Sequence, residues 1–508
     1  MFVPNAGADV KPQLWLYYPI NLLVNANLDK AEKIWTRAAA AGYTHVLIAD
    51  SKFSRLALLP PSYFKNCERA KKIAADLKLQ IVPALFSIGY SNDLLSQDPN
   101  LAEGVPVKDQ LFVVHDGNAE LIADPAVRFD KMAFHDPIVT IDGHIATVKA
   151  GKGPARFVYK LTVPEFRCYH ISVKIKTDAL NGRPEIAVLS GGVGLQYEFL
   201  HAKAGEWTQC DVVFDSLNHK DVNVYFGLWS NVTASFQWKD WSIDEVGLVN
   251  VLRRPGAPCV VKDEKTGKVL KEGSDYKPIA DPHMGNVPYA GEYQAYHAPP
   301  VIHTHLPDGQ RLRVSWYYPP IIYDGQVAAC ISEPKTMMLL ADQAKGMKTI
   351  WDAPLYMMSH DEFRVFGWDE SCEEKKQTPG QMLAENVRQC TKMLQPARSA
   401  VWNDMFDPLH NAVKGPYYLV NGPWLESWEG LSKEVLVVNW NHGKRDESLK
   451  FFAERGNKQL IAGYYDNDLS QFQEWIDSAR KVAGVEGYMY TTWRGDYSML
   501  EKFAKMAP

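Results

Sequence analysis

The chain is poor in cysteine, in basic clusters and in long apolar runs. Cys67, Cys168, Cys210, Cys259, Cys330, Cys372 and Cys390 are widely spaced with no CxxC pair. No zinc or redox framework is therefore visible, and the odd number leaves at least one thiol unpaired. No apolar stretch approaches the ~18 residues of a membrane-spanning helix. A formal net charge of −5 without any long basic run argues against nucleic acid as the main partner. The amino terminus, MFVPNAGADVKP, lacks a basic region followed by an apolar stretch. The expectation is a secreted or periplasmic protein whose signal peptide has been removed, with a cytoplasmic location as the alternative. No motif calls for a cofactor or a metal.

What is present is length and aromatic side chains. The 508 residues suffice for a barrel of about 250 residues and an additional module. The 15 tryptophans and 24 tyrosines supply flat rings that stack on the apolar faces of sugars, although such rings line other ligand clefts too. Up to about residue 90, strand and helix alternate: strands at Leu14 to Ile20, His45 to Ala49 and Leu79 to Phe86, and helices at Leu28 to Ala41 and Pro61 to Leu77. Three such βα steps predict a parallel sheet with right-handed crossovers.

From about Ala123 to Asn250 the helical period disappears. Short alternating runs separated by Gly, Asn and Pro turns take its place, which predicts an inserted β-sandwich. Residues 251–310, rich in Pro, Gly and charge, read as a hairpin-bearing return. His303 and His305 alternate there without a carboxylate partner and read as ordinary loop residues. The alternation of strand and helix resumes over 311–508. Nine candidate strands compete for eight places, and Leu312 to Tyr318 is demoted to a hairpin or a strand beside the third. The fold expected is an α/β (β/α)₈ TIM barrel, with its first part in 1–122, a sandwich over 123–250 and its second part in 311–508.

The stretch YMMSHDEFRVFGW, Tyr356 to Trp368, organises the functional reading. A buried strand there delivers His360, Asp361 and Glu362 at its carboxyl end, the face where barrel chemistry resides. Adjacent carboxylic acids repel when both are charged. One should titrate in the range of a general acid while the other stays ionised. An isolated acidic pair after a strand also reads as the solvated start of a loop. Later strand ends argue for a site: they carry Trp402 with Asp404, Asn439 with Trp440, Tyr464 with Asp466, and Trp493 with Asp496. Together these would build flat walls and hydroxyl-binding groups around a single pyranose. Asp369 and Glu370 read as a solvated loop, and Asp352 as part of the opposite, stability face.

This order of motifs resembles the family 20 glycoside hydrolases, the β-N-acetylhexosaminidases, over about 1–95 and 312–508. The resemblance implies that Asp361 orients a 2-acetamido group and stabilises its oxazolinium charge, with Glu362 as general acid and base. It further implies that Tyr464 bonds the acetamido oxygen, Trp402 and Trp440 wall its pocket, Trp493 stacks on the sugar, and Asp466 and Asp496 bind hydroxyls. The acetamido group would be the nucleophile. Three features depart from the pattern: His360 is shifted next to the pair, Tyr17 and Tyr18 stand where a sugar-binding Arg would be, and the last motif is WRGD. The passage GLWSNVTASFQWKDWSIDEVGLV resembles the closing strands of carbohydrate-binding modules. The expectation is a retaining exo-glycosidase acting on an oligosaccharide or glycoconjugate. A glycosidase for a sugar without an acetamido group and a non-catalytic glycan-binding barrel are the alternatives.

Overall fold

The computed structural model describes residues 12–178 and 184–508. Met1 to Lys11, read above for a signal sequence, lies outside the described residues.

Eight parallel strands close a barrel in the order in which the chain supplies them: Gln13–Pro19, His45–Ala49, Gln80–Leu85, Leu355–Met358, Arg398–Trp402, Leu436–Asn439, Gln459–Ala462 and Val485–Tyr490. The last strand pairs with the first, Gln13 opposite Gly487, and completes the ring. Strand residues alternate between lumen and helix layer. The lumen is filled by Trp15, Leu47, Val82, Leu355, Met357, Leu436, Val438, Leu460 and Met489. The helices Asn25–Ala40, Pro61–Asp76, Pro334–Trp351 and Pro379–Leu394 cover the outside of the first half. The last of these opens with a capping box, in which Thr378 and Gln381 satisfy each other's backbone N–H groups.

The barrel is interrupted between its third and fourth strands. Two five-stranded antiparallel sheets, drawn from residues 132–246, face one another as a sandwich. Their layers meet through Trp238 of one sheet, which packs edge-on against Phe157 and Phe226 of the other at 5.9 and 5.6 Å. A third antiparallel sheet joins Val260–Asp263, Arg311–Tyr318, Val105–His115, Asn118–Leu121 and Ile302–His303. Residues 105–121 and 311–318, expected at the edges of the two barrel parts, are therefore strands of this third sheet. Arg311–Tyr318 pairs with Val105–His115 and does not lie beside the third barrel strand.

The sandwich is stitched to the barrel face. Gln196 donates to the Ile321 carbonyl at 2.8 Å, and the Tyr323 N–H donates to the Tyr197 carbonyl at 2.7 Å. The Tyr197 ring meets those of Tyr323 and Tyr418 at 6.4 and 6.1 Å.

Candidate active site

At the carboxyl ends of the strands lies a cavity of about 540 Å³, lined by Tyr17, Leu47, Ala49, Ala84, Ser87, Tyr90, Met357, Ser359, Asp361, Glu362, Trp402, Trp440 and Trp493. Its origin can be read from side-chain size. The second and third strands present only Ala49 and Ala84 at this level, and the first and fifth present Tyr17 and Trp402. Small residues open the floor and rings form the walls. Tyr17 packs edge-on against Trp402 at 6.1 Å and Trp493 at 5.3 Å.

Asp361 and Glu362 share one wall. Glu362 has φ of +48°, an uncommon conformation for a residue bearing a Cβ, which costs about 1–3 kcal/mol and persists only where the surroundings impose it. Both of its backbone groups are fixed. Its N–H donates to Asp404 Oδ2 at 2.8 Å, and its carbonyl accepts from Gln326 Nε2 at 2.9 Å. Gln326 also donates to the Gly89 carbonyl at 3.0 Å. A Cβ on Gly89 would stand 2.6 Å from the Asp361 carbonyl oxygen, so glycine is required for this close passage.

The Glu362 carboxylate is held from two sides. Tyr90 OH donates to Oε2 at 2.5 Å, and Arg364 forms an ion pair with Oε1 at 2.7 Å. Arg364 also donates to Tyr90 OH at 3.0 Å and to Gln326 Oε1 at 2.6 Å. Its guanidinium lies 3.9 Å from the centre of the Tyr323 ring and is almost wholly buried. Burial, followed by the charge of Glu362, pushes the Asp361 carboxyl up to about 7. Burial, then the charge of Asp361, lifts the Asp404 carboxyl well above the usual carboxylate range, and a Trp440 hydrogen bond opposes this. Three acidic groups thus surround one point with a single buried arginine against them.

The residues singled out in the sequence separate into three groups. Asp361, Glu362, Trp402, Trp440 and Trp493 are brought together on the cavity. Asp404 is fully buried and positions the Glu362 backbone, with a second hydrogen bond from Asn411 at 3.1 Å. His360, Tyr464, Asp466 and Asp496 do not line the cavity. His360 is fully buried with Nε2 at 3.0 Å from Asn386 Oδ1, and burial pushes its pKa down to about 4. Tyr464 is 43 % exposed. Asp466 accepts the Trp493 N–H at 3.1 Å and the Thr492 hydroxyl, and so braces the loop that carries Trp493. Asp496 accepts the N–H groups of Asn467 and Ser498 at 3.0 and 2.9 Å and caps the same loop.

Tyr90, Arg364, Gln326 and His410 were not anticipated. His410 meets Trp440 edge-on at 4.5 Å, and burial lowers its pKa to about 4 against the pull of Glu362. Of these four, only Arg364 lies near the acidic pair in the sequence, two residues beyond Glu362 in DEFR. Asp369 requires correction. It is fully buried, not solvated, and pairs with Arg254 at 2.5 Å.

No family model and no curated protein matches the chain. Among solved structures, a β-N-acetylhexosaminidase is similar over 98% of this chain and 71% of its own, at 7% identity and a TM-score of 0.44. A family 20 exo-β-N-acetylglucosaminidase from Vibrio harveyi, in complex with N-acetylglucosamine, is similar over 37% of this chain, at 14% identity and a TM-score of 0.27. The match spans 33% of that enzyme's length. A family 16 carbohydrate-binding module is similar over 26% of this chain and 98% of its own, at 14% identity and a TM-score of 0.18.

Proposed function

We propose that the protein is a glycoside hydrolase that removes a terminal 2-acetamido sugar with retention of configuration, and that Glu362 is its general acid and base. The observation that carries this reading is the adjacency of Asp361 and Glu362 on one wall of a cavity whose other walls are Tyr17, Trp402, Trp440 and Trp493. A volume of about 540 Å³ lies within the ~300–1,000 Å³ of small-ligand pockets, and rings on several sides suit one sugar held deeply.

The chemistry follows from a shared proton. In the free protein Glu362 is paired with Arg364, and Asp361, raised to about 7, holds a proton over much of the neutral range. An acetamido N–H needs an acceptor, so a bound substrate draws Asp361 into its ionised form and the proton passes to Glu362. Glu362 then protonates the departing glycosidic oxygen while the acetamido oxygen bonds to the anomeric carbon and the glycosidic bond breaks. The ionised Asp361 stabilises the oxazolinium. Glu362 next takes a proton from water, whose oxygen attacks the anomeric carbon and reopens the ring. Tyr17 and Tyr90 are the tyrosines that line this space, whereas Tyr464 does not line it.

The Glu362–Arg364 ion pair favours a second reading. Asp361 would then be the proton donor and Glu362 the carboxylate that attacks the sugar or activates water, with no acetamido group required. Release of nitrophenol from aryl β-glycosides with and without the 2-acetamido group separates the two. Cleavage confined to N-acetylhexosaminides, with turnover lowered ~10²-fold or more in Glu362→Gln, is the expected result. Cleavage of plain glycosides would transfer the assignment to the second reading. Binding of glycans without cleavage of any member of the panel would sink both.

A further inference from the structure

Beside the wall that carries the acidic pair, four metal-ligating side chains from three separate segments converge. Glu103 follows the third barrel strand, Cys330 precedes the helix Pro334–Trp351, and Asp369 and Cys372 lie just beyond Glu362 and Arg364. All four are at most 2% exposed, and one ligand atom from each lies within 4.8 Å of all the others.

Three of the separations match those between ligands of a tetrahedral zinc ion. Cys330 Sγ lies 3.7 Å from Cys372 Sγ and 3.6 Å from Asp369 Oδ1, and Cys372 Sγ lies 3.6 Å from Glu103 Oε2. Zinc bonds of about 2.3 Å to sulfur and about 2.1 Å to oxygen, at tetrahedral angles, place two sulfurs ~3.8 Å apart and a sulfur and an oxygen ~3.6 Å apart. The remaining carboxylate oxygens are engaged from outside. Asp369 Oδ2 accepts from Arg254 at 2.5 Å, and Glu103 Oε1 accepts the N–H groups of Gly367 and Trp368 at 2.8 and 3.2 Å. Ser332 Oγ touches Cys372 Sγ at 3.2 Å. Ligands oriented in this way by outer partners are characteristic of metal centres. The charges are also unbalanced, since Arg254 faces Glu333 as well as Asp369.

We propose that Glu103, Cys330, Asp369 and Cys372 form a closed structural zinc site. On binding, each thiol gives its proton to solvent and the thiolates and carboxylates contribute one atom apiece, with no open position for substrate. The metal staples the segment after the third strand and the return from the insertion to the loop that presents Glu362 and Arg364. No cysteine spacing announces it, because the ligands come from distant parts of the chain.

The test uses the full chain, reduced, stripped with chelator and supplied with Zn²⁺ or Co²⁺ alone. The expected results are one metal per chain and, for Co²⁺, thiolate-to-metal charge-transfer absorption with the strong visible bands of a tetrahedral centre. Cys372→Ser should abolish the charge-transfer intensity due to that thiolate, and Asp369→Asn should weaken Zn²⁺ at least ~10-fold. Zn²⁺ bound as tightly by Cys330→Ser as by the unaltered chain would overturn the assignment, as would a Cys330–Cys372 disulfide in the protein isolated without reductant. If the serine variants do not fold, the cobalt spectrum of the unaltered chain decides: weak octahedral bands without sulfur charge transfer refute the site.

Discussion

Replacing Asp361 with Asn should stabilise the protein at alkaline pH while disabling it. The folded chain raises this carboxyl from 3.8 to about 7, by burial and by the charge of Glu362. At ~1.4 kcal/mol per pH unit, that gap sets a ceiling of ~4 kcal/mol on the cost of ionising Asp361 in the folded state. Asp361 opens onto the cavity, so solvent screening reduces the realised value to ~1–2 kcal/mol. A carboxyl whose folded value exceeds its unfolded one favours folding fully below the unfolded value, and that advantage is lost as pH rises through the folded one. The window here runs from about 4 to about 7. Asparagine does not titrate, so the variant escapes the loss. Paired calorimetric melts of the two proteins cancel the other titrating groups. At pH ~8 the variant should melt higher by about 2 °C or less per kcal/mol, and the difference should shrink as pH falls toward ~4. Turnover of N-acetylhexosaminides should fall in the same preparation. A variant that melts with or below the parent at pH ~8, or by a pH-independent difference, would refute the buried, charge-opposed state assigned to Asp361.

Two further substitutions separate positioning from binding. Tyr90→Phe removes the hydroxyl shared by Glu362 and Arg364; a hydrogen bond to a charged group is worth ~1.5–3 kcal/mol, so kcat should drop ~10–100-fold with KM little changed, and an unchanged kcat would show that the hydroxyl does not hold Glu362 for reaction. Trp493 is 59% exposed at the cavity rim, so Trp493→Ala should leave the melting temperature unchanged and raise KM ~3–10-fold through lost stacking; an unaltered KM would remove Trp493 from sugar binding.

The barrel was legible because its strands are short apolar runs that alternate with helical segments. The site was legible only where a residue lies close to the strand end. Trp402 is the last residue of its strand, and its ring reaches the lumen by alternation alone. Asp404, two residues further on, begins a short 3₁₀ turn and curls beneath Glu362. Tyr464 and Asp466 come after a strand that stops at Ala462, and once the chain leaves the ladder no periodicity says which way they point. Tyr17 looked like a departure from the expected arginine, yet it occupies the cavity wall. Tyr90 reaches Glu362 from a loop after the third strand, a pairing fixed by barrel closure and invisible to any local pattern. The same applies to Glu103 and Cys330, which reach Asp369 and Cys372 only because the third sheet and the return segment fold back over the barrel.

The contact of Tyr197 with Tyr323 and Tyr418 bears on how this chain can change over generations. Arg364 rests on Tyr323 and Tyr418, which in turn lean on a residue of the inserted sandwich. A recombination event that exchanged the sandwich for a homologous one would replace the keystone of the stack beneath the arginine. Such an exchange keeps the stack only when the residue at position 197 brings a ring to meet Tyr323 and Tyr418. The sandwich and the barrel wall that carries Glu362 are therefore linked through these rings, and a change at position 197 reaches Arg364 by way of Tyr323 and Tyr418.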